Sequence, residues 1–190
     1  PATLELVVAA MLVGSLVGVT LGVVAAHYRD RAADHFARLF ALFGSSVPVF
    51  WSGLILLFVF WYTLGILPGP GRLDTRTMAP PDVTGFYTLD SLMAGNLSVF
   101  AESVAHLILP ACVLGWAVMG IISRQVRASM LDVLNQDYIL AARAKGAPRL
   151  RRVFWHALPN AAIPIVTIIG LKLGDLVAGS IIVESVFGWP

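Results

Sequence analysis

Charge is scarce in this sequence. Charged residues make up 13% of its 190 positions, and lysine occurs only at Lys145 and Lys172. A soluble domain carries about a quarter charged residues. With 58% hydrophobic residues and a mean hydropathy of +0.83, the apolar side chains exceed what one small core can hide. Lipid must cover part of them. Cysteine is nearly missing too: Cys112 stands alone in an apolar run, which excludes an intrachain disulfide and a Cys-based metal site. The net charge of +2 is too small to suggest a nucleic-acid partner. There is no basic leader with a small-residue cleavage site, no internal repeat and no low-complexity tract. No G-x-x-x-x-G-K-[ST] loop surrounds either lysine, so ATP would have to be bound by another chain.

Four apolar runs are long enough to cross a bilayer, which takes about 20 residues. They cover 4–26, 39–66, 104–123 and 160–183. The first carries Gly14, Gly18 and Gly22 at every fourth position, a small-residue stripe along which a second helix can approach closely. The plainer alternative is that glycine is simply common in membrane helices. The second run is long for one span and is expected to tilt or break near Pro48, with Trp51, Trp61 and Tyr62 as interfacial anchors. Pro110 and Gly115 interrupt the third; Pro164, Gly170, Gly174 and Gly179 punctuate the fourth.

The connectors differ in charge. Residues 27–38 net +1, residues 67–103 net −2, and residues 124–158, with six arginines and Lys145 against Asp132 and Asp137, net +5. Basic loops stay in the cytoplasm, so 27–38 and 124–158 are expected inside and the turn-rich 67–103 outside. Both ends then lie outside. The chain opens Pro1-Ala2-Thr3 and stops at Trp189-Pro190, and the expectation is a piece of a longer polypeptide lacking a flanking span at each end.

The inner connector is the informative stretch. Asp137 is a good helix N-cap, Tyr138 to Lys145 reads as two helical turns, Gly146 suits the C′ position and Pro148 prevents simple continuation. A second helix starts near Arg149. It places Leu150, Val153, Phe154, Ala157 and Leu158 on one apolar face and Arg151 and Arg152 on the other, and Pro159 marks the return to the membrane. The small Ala141, Ala142 and Ala144 would let a partner pack against the backbone. Periodicity alone leaves a second reading open, a basic helix lying on anionic headgroups.

The run Ala141-Ala142-Arg143-Ala144-Lys145-Gly146, followed after nine residues by His156-Ala157-Leu158-Pro159, resembles the EAA loop of ABC-importer permeases, Glu-Ala-Ala, three residues, Gly, nine residues, Ile-x-Leu-Pro. Leu140 stands where the Glu would be and His156 where the Ile would be. That wording is similar to the dipeptide/oligopeptide/nickel branch, where the Glu is commonly absent. Ser45-Ser46-Val47-Pro48-Val49-Phe50-Trp51, Gly65-Ile66-Leu67-Pro68 and Val183-Glu184-Ser185-Val186-Phe187-Gly188-Trp189-Pro190 resemble further segments of that branch, in order along the chain.

The resemblance implies an all-α transmembrane bundle of the type I importer permease class, multi-pass in a bacterial plasma (inner) membrane. It makes 137–159 a cytoplasmic coupling loop whose short helix, with Asp137, Leu140, Ala141, Ala142, Ala144, Lys145 and Gly146, sits in a groove of an ATPase subunit. It implies two such ATPases carrying ATP and Mg, a second related permease chain as heterodimer partner, and a substrate-binding protein on the outer side. The chain itself would bind no cofactor and catalyse nothing. Peptides are the first cargo expected, with nickel chelates or other small solutes as the alternative.

Charges inside the spans are costly and suggest function. Lys172 and Asp175, three apart in the fourth run, can share a face. They face either the translocation path or partner permease, or each other within the bundle. Glu184 is read as an outer-gate residue or a solvated interfacial carboxylate. Glu102 and His106 are spaced for a mutual hydrogen bond, and Arg124 and Arg127 are read as positive-inside anchors. An intramembrane hydrolase finds no support: no G-x-S-x-G is present. A secondary transporter would suit the broken helices but has no reason to carry the Ala-Ala-x3-Gly loop with its Leu-Pro exit.

Overall fold

In the computed structural model, which describes residues 1–189, the chain is helical throughout, with no strand among those residues. Helix α1 covers Ala2–His27, α2 Ala32–Ser46, α3 Val49–Leu56, α4 Tyr87–Met93, α5 Leu97–Leu134, α6 Asp137–Ala144, α7 Arg149–Arg151 and α8 Leu158–Phe187. Two wide π turns, Leu57–Thr63 after α3 and Arg152–Ala157 between α7 and α8, join their neighbours without a break. Three helices are long and apolar enough to cross a membrane: α1, α5 and the run Arg149–Phe187. A fourth span results if α2 and the run Val49–Thr63 count as one broken crossing.

The elements outgrow the apolar runs that mark them. Helix α5 starts at Leu97 and ends at Leu134, well beyond 104–123 at both ends. The second run is interrupted at Val47-Pro48. The residue before a proline is pushed out of the α region, and Pro48, with φ −59° and ψ 134°, sits just ahead of the first turn of α3. Pro159 does not end a helix: Arg149 to Phe187 is helical without interruption. The π turn ahead of Pro159, where the amide of Leu158 donates to the carbonyl of Val153, accommodates a residue with no N–H and a bulky ring.

The chain forms two compact units. The first comprises Pro1–Val13, Val47–Ala117 and the residues from Leu173 onward. Its centre is apolar, with Leu6, Val7, Leu109, Val113, Leu114, Leu176 and Val183 buried. Around these the long 67–96 excursion is tied down. The guanidinium of Arg72 pairs with Glu5 at 2.7 Å, donates to the carbonyl of Gly85 at 3.0 Å and lies 3.6 Å from the centroid of the Tyr87 ring. Glu5 also accepts from the amide and hydroxyl of Thr88 at 2.9 and 2.6 Å. The Gly71 amide donates to Phe187, and the Trp189 indole N–H donates to the carbonyl of Ala2.

Asp90 organises the turn before α4. Burial raises its pKa, but hydrogen bonds from the Thr84 hydroxyl and the amides of Thr84, Gly85 and Val83 more than reverse this and hold the carboxyl below its usual range. A depressed folded-state pKa adds stability above the unfolded value of about 3.9, and that stability is lost as pH falls through the folded value. Amide exchange at residues 83–85, corrected for intrinsic rates, should therefore stay slow from about pH 7 to about pH 4 and speed up below. In Asp90→Asn it should already be fast at neutral pH. Protection that ignores both changes would remove the carboxylate from this role.

The second unit comprises Gly14–Ser46 and Val118–Lys172. Here the glycine stripe of α1 meets α5. A Cβ on Gly22 would lie 2.5 Å from Val126 Cβ and 2.7 Å from the carbonyl oxygen of Ser123; one on Gly18 would lie 2.9 Å from the carbonyl of Met119. Helix α2 approaches just as closely, its Ala41 carbonyl lying against Gly120. Gly22→Leu should lower thermal stability by about 1–3 kcal/mol or prevent packing outright, whereas Gly170→Ala, with nothing within 4 Å, should not. Equal melting of the two variants would show that the α1–α5 contact is dispensable.

Candidate functional site

The hairpin of α6, α7 and the following π turn belongs to the second unit. Helix α6 is capped at Gln136, in extended conformation and without a side-chain capping bond. Asp137 is therefore not the N-cap but the first helical residue, where its charge still complements the helix N-terminus. The C-terminus follows the sequence. Lys145 is the C-cap and Gly146, at φ +82°, is C′. The amide of Gly146 donates to Arg143 at 3.0 Å and that of Ala147 to Ala142 at 3.1 Å, the two bonds of a Schellman stop. Any side chain at 146 would strain the left-handed backbone by about 1 kcal/mol or more.

Helix α6 is anchored by one buried side chain, with the Tyr138 hydroxyl donating to the carbonyl of His156 at 3.5 Å. Ile139 is buried at 2% exposure. Asp137, Leu140, Ala141, Ala144, Lys145 and Gly146 are exposed and Ala142 is half-buried, so six of the seven residues singled out in this stretch are free for contact. Beside them Tyr138, Ala141, Ala142, Gly146, Arg151 and His156 line an open groove of about 550 Å³. Its α6 wall carries the small Ala141, Ala142 and Gly146, and the larger Tyr138, Arg151 and His156 bound it. The second helix departs from its expected faces. Val153 and Ala157 are buried, but Leu150 and Phe154 are exposed, and Arg152 is half-buried while Arg151 is exposed. The π turn begins at Arg152, so the angular step per residue falls and the register of an α-helix no longer applies.

The charged residues of α8 are not gathered at this hairpin. Lys172 is half-buried, Asp175 is exposed, and neither is without a partner. Glu184 is half-buried, with one carboxylate oxygen that is buried and has no hydrogen-bond partner. Pro190, the last residue of the Glu184-to-Pro190 match, lies outside the described residues. His106 and Glu102 do not bond to each other. His106 Nδ1 meets the carbonyl of Gly71 at 3.0 Å, and Glu102 accepts from the Asp74 amide and the Thr77 hydroxyl.

Two ion pairs escaped the sequence reading. Asp34, fully buried, accepts a two-pronged bond from Arg127, 2.8 Å from Nε and 2.7 Å from Nη2, with Arg38 Nε at 3.3 Å and the Asp30 amide at 3.0 Å. Arg127, expected as a positive-inside anchor, is thus also the ion-pair partner of Asp34; Arg124 reaches the Ser45 hydroxyl at 3.3 Å. The other pair is Glu5–Arg72. A signal for it was present: Glu5 is the only charged residue in the apolar run 4–26.

Residues 18–190 match the family described as the binding-protein-dependent transport system inner membrane component. The chain is 49% identical over its whole length to the Probable D,D-dipeptide transport system permease protein DdpB of Escherichia coli. It is 46% identical to the Di/tripeptide transport system permease protein DppB of Pseudomonas aeruginosa and 44% identical to the Dipeptide transport system permease protein DppB of Escherichia coli. It covers all of its own residues in each case and spans 56% of each relative's length.

Proposed function

We propose that this chain, which belongs to the family of binding-protein-dependent transport system inner membrane components, forms the membrane path of an ATP-driven importer of short peptides and couples to its ATPases through α6. The all-helical bundle, with three or four helices fit to cross a membrane, has the fold of type I importer permeases, and the family description places it in the inner membrane. The observation that carries the coupling role is α6 itself: two turns, held by one buried isoleucine, stopped by a glycine in the left-handed region, with its small residues turned outward. A helix that only needed to be stable would bury a stripe, not a single residue.

The net charge of +5 on residues 124–158 supports placing the hairpin in the cytoplasm. ATP and Mg then belong to two ATPase partners that grip α6, and a binding protein delivers cargo to the opposite face. A second, related permease chain would complete the path. The low burial of the α8 span window, 17% against 61% for α5, supports a partner against α8. The peptide cargo rests on the names of the relatives. In this reading Lys172 and Asp175 face the path, where opposite charges suit a substrate with an amino and a carboxyl end, and Glu184 stands at its outer gate.

The test is uptake of a labelled dipeptide into vesicles carrying the full-length permease with its partners. Uptake should require ATP and the binding protein, and Asp175→Asn should lower it while the ATPases still co-purify. Uptake driven by an ion gradient without ATP would overturn the reading. Unchanged uptake by the variant would remove Asp175 from the path.

A further inference from the structure

The second unit has a half-open cavity of about 430 Å³ apart from the groove beside α6. It lies where the end of α1 meets the hairpin. His27 and Arg29 line it from one side and Arg143, Arg149 and Arg152 from the other, with the buried Ile139 against it. Four arginines therefore line one space, and no Asp or Glu does. Arg29 pairs with Asp30 at 3.3 Å, but both are exposed and such a pair neutralises little. Arg149 donates to the backbone carbonyl of His27, which does not offset its charge.

Two polar atoms here are left over. Arg152 Nε and His27 Nδ1 are buried and have no hydrogen-bond partner. Such atoms cost about 1–3 kcal/mol each when unmet, and like charges gathered around a cavity add repulsion to that cost. An anion that accepts from Arg152 Nε–H, and from His27 Nδ1 when that nitrogen carries the proton, removes both penalties together. Planar guanidinium forks match the oxygens of a phosphate better than any other biological anion save a carboxylate, and the volume leaves room for a substituent on the phosphate.

Depth supports a membrane source. The apolar run 4–26 ends just before His27, so His27 and Arg29 sit at the edge of the hydrocarbon layer, at headgroup level. Leu150, Phe154 and Trp155, on the helix that carries Arg149 and Arg152, are exposed, and tryptophan favours that same layer.

We propose that this cavity is a binding site for a phosphate group, supplied by an anionic phospholipid headgroup or by free phosphate. Its ligand ties α6, through Arg143, to the end of α1 and to the arginines beyond Pro148. Helix α6 is then braced by an anion as well as by Ile139.

Thermal unfolding of the purified full-length permease in neutral detergent tests this, with phosphatidylglycerol, phosphatidylcholine or inorganic phosphate titrated at constant ionic strength. Phosphatidylglycerol should raise Tm saturably and more than phosphatidylcholine. In Arg152→Gln the concentration giving half the shift should rise about tenfold, the loss of one charge-assisted bond. Arg143→Gln, at an exposed position, should do the same and decides alone if Arg152→Gln fails to fold. A shift reproduced by inorganic phosphate makes free phosphate sufficient; a shift with phosphatidylglycerol alone identifies the lipid. Wild-type titrations in the variants would overturn the site, as would phosphatidylglycerol and phosphate doing no better than phosphatidylcholine and chloride.

Discussion

Replacing Asp34 by asparagine will cost the purified permease about 3–5 kcal/mol of stability, the usual loss when one member of a buried ion pair is removed. Asp34 has no solvent exposure and takes both prongs of the Arg127 guanidinium. Asparagine keeps the shape but turns an amide N–H2 toward donors, so the arginine loses its charge partner and one of its two bonds. Arg38 and the Asp30 amide lose the same carboxylate. The pair joins α2 to α5 across 93 residues of sequence, and the Ala41 backbone of α2 also lies against Gly120 of α5. Arg127→Lys keeps the charge and loses the fork, and should cost less. The double variant Asp34→Asn with Arg127→Gln should be more stable than the sum of the single losses implies, since no unpaired buried charge remains. Urea or thermal unfolding of wild type, the single variants Asp34→Asn, Arg127→Lys and Arg127→Gln, and the double variant reads these differences. An Asp34→Asn melt within about 0.5 kcal/mol of wild type, the range of an ordinary surface change, would show the pair to be idle.

Ala141→Trp should leave the isolated permease as stable as wild type and reduce ATP-driven uptake more than about tenfold, equivalent to about 1.4 kcal/mol or more of lost docking. Ala141 is exposed on α6 and borders the open groove, so an indole there meets no residue of this chain's core. Against a partner packed close to the α6 backbone it has no room. The separation of the two readouts is what matters. A tryptophan that lowers stability and uptake together would report a folding defect, and one that lowers neither would leave α6 without a docking partner at this face. Ala142→Trp is a harsher version, because Ala142 is half-buried and its carbonyl closes the Schellman stop.

Much of this architecture was legible in the chain. Runs of apolar residues mark the membrane helices because hydrophobicity is a local, additive property. The stop of α6 was legible for a related reason: Gly146 answers a backbone demand that its near neighbours create. The break at Val47-Pro48 follows from proline stereochemistry alone. What escaped were pairings over long separations. Glu5 and Arg72 lie 67 residues apart and Asp34 and Arg127 lie 93 apart. Charge counting by connector records that Asp34 and Arg127 exist, not that they meet. Arg152 escaped for a geometric reason. The α-helical period places it with Arg151 on the outer face, but the π turn that begins at Arg152 changes the step, and its side chain turns half-buried toward the cavity. His106 shows the same limit, since spacing offered Glu102 as its partner and the folded 67–96 excursion supplied the carbonyl of Gly71 instead.

The most direct test of the coupling claim uses the single cysteine to advantage. With Cys112 and any cysteine outside these 190 residues changed to alanine, and Ala144 to cysteine, the permease carries one thiol, on the exposed face of α6. In the assembled importer a short bifunctional reagent should join that thiol to the ATPase, and a membrane-impermeant maleimide added to intact cells should leave it unlabelled. Labelling from outside, or a thiol that crosslinks to no nucleotide-hydrolysing subunit, would contradict the account.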